Sequence, residues 1–179
     1  MNTILKLNSK IPILIDIVVF AIMKRDPKII FDMILFHKNC TDGTVALWVL
    51  KSMYKKAKYI GLSNGDKMPD VTGMNVIIVD YCPSRKDVIK MKQQTKHLVI
   101  LDHHISNQFA MKGIDNCYFN NNKCGATLAW NYLYGDKKIP WFIKIVEDVD
   151  LHRKNTRNSG LIIKALHSMS CFKDINSVE

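Results

Sequence analysis

The stretch His97-Leu98-Val99-Ile100-Leu101-Asp102-His103-His104 decides the fold. An apolar run of this length reads as a buried strand, and it delivers its last residues to the carboxyl edge of a sheet. One carboxylate and two imidazoles are costly to hold together at such an edge without a role. They are typical metal ligands and proton carriers. The arrangement recurs upstream. Asn75-Val76-Ile77-Ile78-Val79 ends in Asp80, and Met33-Ile34-Leu35-Phe36 ends in His37, followed by Asp42-Gly43. Three strands therefore end in acidic or imidazole groups.

Between and after these strands the pattern switches to helical spacing. A helix is expected over roughly 43–55, with Val45, Ala46, Trp48 and Val49 as its apolar stripe. Lys58 to Leu62 reads as a short strand. Pro83-Ser84 opens a helix to about Gln94. Asn116 to Phe119 reads as a strand, and helices are expected over 124–134, from Pro140 to about Asp150, and over 160–171. This alternation predicts an α/β fold, a mostly parallel Rossmann-like sheet flanked by helices. Open sheets of that class bind ligands at the carboxyl ends of their strands.

Residues 1–30 form an N-terminal leader, with a helix from Pro12 to about Lys24 that Asp26-Pro27 ends. Its apolar part, Ile11 to Met23, contains Asp16 and is too short to span a bilayer. No small-residue cleavage site follows it, so a buried or interfacial helix is expected.

A chain of 179 residues with 47% hydrophobic and 23% charged residues suits one compact domain, or one domain plus an appendage. The net charge of +10 fits either a solvated basic surface or an anionic partner such as a nucleotide or nucleic acid. The cysteines at 40, 82, 117, 124 and 171 contain no C-x-x-C pair, which argues against a zinc knuckle. Reduced thiols and a cytoplasmic location are expected.

Four clusters can converge: His37 to Gly43, Asp80, Asp102-His103-His104, and Glu147-Asp148-Val149-Asp150. Each has an ordinary alternative. Asp80 and Asp42 are also good helix caps, His37 also fits a core or surface, and Asp148 and Asp150 also fit a solvated helix end. Together they suit two divalent cations. Manganese (Mn2+) is favoured over magnesium where imidazoles ligate, and zinc is an alternative. A shared carboxylate can bridge two such ions and clamp the oxygens of a phosphoryl displacement.

Five segments carry a family resemblance: FHKNCTDG at 36–43, VDYCP at 79–83, LDHH at 101–104, CGATLAW at 124–130 and VEDVDLH at 146–152. In their order and spacing the chain resembles the catalytic domain of the DHH phosphoesterase superfamily. That superfamily includes single-strand-specific exonucleases, oligoribonucleases, cyclic-dinucleotide phosphodiesterases, exopolyphosphatases and family II pyrophosphatases. The match runs from about residue 33 to about 155 and implies a catalytic domain over 31–179. It implies that His37 ligates the first manganese, Asp42 and His103 the second, and that Asp80 bridges them. Asp102 would hold the His103 ring and His104 would face the phosphate. Asp148 would be the last ligand, with Asp150 in competition, and Gly125, Ala126 and Thr127 would lie against the substrate.

Two departures stand out. Many relatives carry a carboxylate where this chain has Cys40, which leaves a thiolate ligand or an altered first site. Most relatives also append a substrate-binding domain, for which only about 25 residues remain here after the match. Substrate capture would then fall to the basic surface, the leader, or a homodimer or partner subunit. The resemblance implies a metal-dependent phosphohydrolase acting on short oligonucleotides or nucleotides. The alternatives are a pyrophosphatase or polyphosphatase, and a non-catalytic nucleic-acid-binding or regulatory module.

Overall fold

The computed structural model describes residues 25–168, so the expected leader helix before Lys24 lies outside the described residues. Five strands form one sheet: β1 (Met33–His37), β2 (Lys58–Leu62), β3 (Asn75–Val79), β4 (His97–Asp102) and β5 (Cys117–Phe119). Their spatial order is β2-β1-β3-β4-β5, and every neighbouring pair is parallel. Around it lie α1 (Thr41–Met53), α2 (Arg85–Gln94), the short α3 (Gln108–Met111), α4 (Gly125–Tyr134), α5 (Trp141–Asp150) and α6 (Ser159–Ser168). The fold is α/β and doubly wound, as the alternation of strand and helix predicts.

Side chains alternate across a strand, so a strand covered on both faces must be apolar throughout. Ile34, Phe36, Ile77, Val79, Val99 and Leu101 pack under α1, α4 and α5, against Leu47, Leu50, Leu128 and Ile143. Met33, Leu35, Ile78 and Ile100 face the other way, onto Val88 and Met91 of α2 and Met111 of α3. The continuous Val/Ile/Leu runs in the sequence are the signature of this two-sided burial.

The register positions the site. Phe36 pairs with Val79 and Val79 with Leu101. The next residues, His37, Asp80 and Asp102, therefore form one row along the carboxyl edge. The backbone N–H of Asp80 donates to the Leu101 carbonyl at 2.9 Å, which holds that row together. Because β1 is followed in space by β2 on one side and β3 on the other, the winding reverses between β1 and β3. That reversal opens the crevice in which such sheets bind ligands.

Several boundaries differ from the sequence expectation. Helix α1 starts at Thr41 rather than near 43, with Gly43 inside its first turn. A Cβ on Gly43 would collide with the carbonyl of His37, so glycine permits close approach to β1 rather than ending the helix. Strand β5 starts only at Cys117, because Asn116 adopts a left-handed φ of 62°. The turn at Ile105–Asn107 and α3 were not expected from the sequence. Among the described residues no helix is long and apolar enough to cross a membrane.

Candidate metal centre

Asp80 is the centre of the site. It leaves β3 with a left-handed φ of 57°, a conformation that Asp tolerates better than most residues. Its Oδ1 lies 3.1 Å from His103 Nε2, and its Oδ2 lies 3.6 Å from His37 Nδ1, beyond hydrogen-bond reach. The two oxygens of one buried carboxylate thus face two different imidazoles.

The two imidazoles enter different three-residue donor sets, and His103 also groups with Asp80, Asp102 and His104. His37, Cys40 and Asp80 present ligand atoms within 4.8 Å of one another, and so do Asp42, His103 and Asp150. His103 Nε2 stands 3.6 Å from Asp42 Oδ2 and 3.5 Å from Asp150 Oδ2. Asp42 and Asp80 are each only 1% exposed, and His103 is 8% exposed.

The electrostatics of this cluster favour cations. Burial, then Asp80, then Asp150 push the Asp42 carboxyl well above the usual range. Burial and Asp80 also raise Asp150, although His103 pulls it back. Burial acts against the charge on Asp80 too, but His103 and His37 outweigh it and hold that carboxyl down at about 2. His103 answers the carboxylates: burial lowers its pKa, and Asp80 and Asp42 raise it more strongly, to about 9. The Cys40 thiol is pushed up to about 12, by burial first and Asp80 second.

A metal fits what is left unsatisfied. His37 Nδ1, Asp80 Oδ2 and Asp150 Oδ2 are buried with no hydrogen-bond partner. Leaving such groups unpaired costs about 1–3 kcal/mol each, and all three belong to the two donor sets. These buried Asp and His groups can hold a metal ion.

Asp42 is fixed by the start of α4. The N–H groups of Gly125 and Ala126 donate to its two oxygens, at 2.5 and 2.8 Å. A Cβ on Gly125 would come within 2.6 Å of Asp80 Cβ and 3.0 Å of Asp42 Oδ2, so only glycine fits between the two carboxylates. Thr127 is 2% exposed, and Cys124 Sγ lies 3.7 Å from its hydroxyl. Gly125, Ala126 and Thr127 were expected against a substrate. They are buried, and their first two N–H groups are occupied by Asp42. The Cys124 N–H donates to Glu147 Oε2 at 3.3 Å. Arg153 in turn pairs with Glu147 at 2.8 Å and donates to the Asn122 carbonyl, which ties α5 to the same corner.

Asp102 plays a different part from the expected one. Its Oδ1 accepts the N–H of His103 at 2.8 Å and His104 Nδ1 at 2.7 Å. Its Oδ2 accepts the Asn107 side-chain amide at 2.6 Å. Asp102 therefore orients the ring of His104, not that of His103, whose Nε2 turns to Asp80. The same hydrogen bond from His104 to Asp102 is the main reason the His104 pKa is raised. His104 remains 39% exposed at the side chain, so its other nitrogen is reachable. Asn107 had no signal in the sequence; the turn after His104 brings it back to Asp102.

Of the two acids at the end of α5, Asp150 joins the cluster and Asp148 does not. Residues two apart on a helix point about 200° apart, so both cannot face one site. Asp148 accepts the N–H of Asn155 at 2.7 Å and that of Thr156 at 3.1 Å, closing the loop after α5. Asp150 shares the inward stripe of Ile143 and Val146, and that i, i+3, i+7 spacing was available in the sequence. A cavity of about 260 Å³ opens beside Asp42 and Asp150, lined also by Cys40, Thr41 and His152. A larger one, about 890 Å³, runs along β5 and contains none of the metal donors, so cavity size does not mark this site.

Fold and site together define an α/β protein with a doubly wound parallel sheet and a candidate metal centre at its carboxyl edge. No family model matches the chain. It is 26% identical over 141 residues to an uncharacterized protein of Acanthamoeba polyphaga mimivirus, covering 67% of this chain and 33% of that protein. In shape it is similar to the crystal structure of an uncharacterized protein from Helicobacter pylori. The TM-score is 0.57 at 14% identity, covering 81% of this chain and 48% of that one. The chain thus spans about a third of the viral relative and about half of the bacterial structure.

Proposed function

We propose that this chain is a DHH-type, metal-dependent phosphohydrolase that cleaves phosphodiester bonds in short oligonucleotides or nucleotides. One observation carries the proposal. Asp80 directs Oδ1 to the set containing His103 and Oδ2 to the set containing His37, as a carboxylate shared by two cations would. His37, Cys40 and Asp80 would hold one ion, and Asp42, His103 and Asp150 the other, with manganese favoured by the O-rich second set. When bound, the pair would polarise the phosphoryl group and lower the pKa of an attacking water.

The chain's own residues do the remainder. The two N–H groups at the start of α4 hold Asp42 still. Asp102 takes the Nδ1 side of His104 and leaves Nε2 free to donate to a phosphoryl oxygen as charge develops there. The net charge of +10 favours a polyanionic substrate.

The test is hydrolysis of bis(p-nitrophenyl) phosphate, a dinucleotide and pyrophosphate by purified protein with manganese. Dinucleotide turnover above pyrophosphate turnover is expected, and the reverse order would move the assignment to a pyrophosphatase. His104→Ala should lower turnover about 100- to 1,000-fold, as loss of one transition-state donor does. Asp80→Asn turning over as fast as the wild type would refute the proposal.

A further inference from the structure

We infer that Cys40 makes the two metal positions chemically unequal: the His37–Cys40–Asp80 position takes a thiolate-favouring ion such as zinc, and the Asp42–His103–Asp150 position takes a manganese-type ion. The inference rests on the two-metal function proposed above and names what that centre selects.

The donor sets differ in kind. The first offers one nitrogen, one sulfur and one oxygen; the second offers one nitrogen and two oxygens. Sulfur draws zinc and related ions, while carboxylate oxygens suit manganese and magnesium. Three protein ligands with a fourth position open is the pattern of catalytic zinc sites. By that chemistry the first position keeps room for a water or a phosphoryl oxygen.

The location of Cys40 supports this. It stands at the N-cap of α1, where its side chain makes no capping hydrogen bond. The preceding residue, Asn39, has a left-handed φ of 59°, which turns the chain sharply between β1 and α1. The partner atoms are themselves uncommitted. Asp80 is 1% exposed, and its Oδ2, like His37 Nδ1, is buried without a hydrogen-bond partner. Among the described residues no other cysteine enters a donor group. The charge also balances: a thiolate brings to the first position a negative charge of its own, and neither position depends on Asp80 alone.

The experiment uses the full chain stripped of metal and titrated with cobalt(II). One bound cobalt should give a near-ultraviolet sulfur-to-cobalt charge-transfer band, and a second should bind without adding to it. One equivalent of zinc should remove the band and leave the second cobalt bound. Cys40→Ser should abolish the band, while Cys117→Ser keeps it. The Cys40 substitution should weaken zinc binding by at least about 100-fold, more than loss of an outer-sphere partner costs. Manganese binding, followed by electron paramagnetic resonance, should change less than about threefold at the other position. Two bound cobalt ions with no charge-transfer band, or a band that survives Cys40→Ser, would overturn the inference and leave the two-metal function standing. Failure to bind any divalent ion would overturn both.

Discussion

Replacing Asp150 by asparagine should stabilise the metal-free protein and weaken the metal-bound one. The sign follows from the carboxyl group itself. In the folded chain its pKa is raised, by burial first and by Asp80 later, and His103 only partly offsets this. A raised carboxyl pKa means that folding disfavours the charged form, so removing that charge favours the folded state. Asparagine keeps a polar atom at the buried, unpartnered Oδ2 position, so the gain comes from the lost charge alone. A net gain of about 1 kcal/mol is expected in EDTA, or about 2–4 °C in Tm for a chain of this size. With metal the balance reverses. Manganese at a hundred times its Kd stabilises the wild type by about 2.7 kcal/mol. A variant that binds about 100-fold more weakly gains only about 0.4 kcal/mol under the same conditions. Urea unfolding of both proteins, in EDTA and in manganese, should therefore show two curves that exchange order. A variant less stable than the wild type in EDTA, with an undiminished manganese shift, would refute the reasoning.

Gly125→Ala should cost about 1–3 kcal/mol of stability, the usual penalty of overpacking, because the added methyl meets the Asp80 Cβ rather than a flexible side-chain end. It should also reduce manganese uptake measured by calorimetry, and a variant equal to the wild type in both would remove Gly125 from the site. In EDTA, stability should fall as pH rises from 6.5 to about 9. His103 titrates near 6.5 when unfolded and near 9 when folded, so the folded state holds the extra proton in that window. Manganese displaces that proton, so the loaded protein should lose less stability over the same range, and binding at pH 7 should release protons, seen in calorimetry across buffers. Asp148→Ala should lower Tm by releasing the N–H groups of Asn155 and Thr156, with manganese affinity unchanged. An affinity loss matching that of Asp150→Asn would restore Asp148 as a ligand.

The sheet was legible because its strands are buried on both faces. Runs such as Val76 to Val79 and Leu98 to Leu101 must be apolar throughout, and each run ends where the polar row begins. The helices other than α3 were legible to within a few residues, except where a residue plays an unusual part. Gly43 reads as the residue that opens the helix, and only its contact with the His37 carbonyl shows why glycine stands inside the first turn. The position of Gly125 could not be read locally either, because its constraint comes from Asp42, 83 residues away. Asp102 was assigned to the wrong imidazole because one tripeptide offers two rings to one carboxylate. Which ring it holds depends on side-chain torsions and on Asn107, whose amide fixes the other oxygen.

What sequence spacing cannot express is the balance of charge that makes the cluster a site. Acids at strand and helix ends are ordinary, and each has an ordinary capping role. Asp102 and Asp148 fill such roles here, with hydrogen bonds at both oxygens. Asp80 and Asp150 do not, since each keeps a buried oxygen without a partner. Asp42 is satisfied by α4, yet it is held within 3.6 Å of His103 and beside two other carboxylates that raise its pKa. Asp42 and the half-buried Asp150, both with raised pKa values, weigh against a metal-free fold, while His103 holds Asp80 in its charged form. Divalent cations bound among these acids would turn the same repulsion into coordination. The acids that cap and the acids that could hold a cation are thus separated by hydrogen-bond satisfaction, a property that appears only when segments far apart in the chain are brought to one sheet edge.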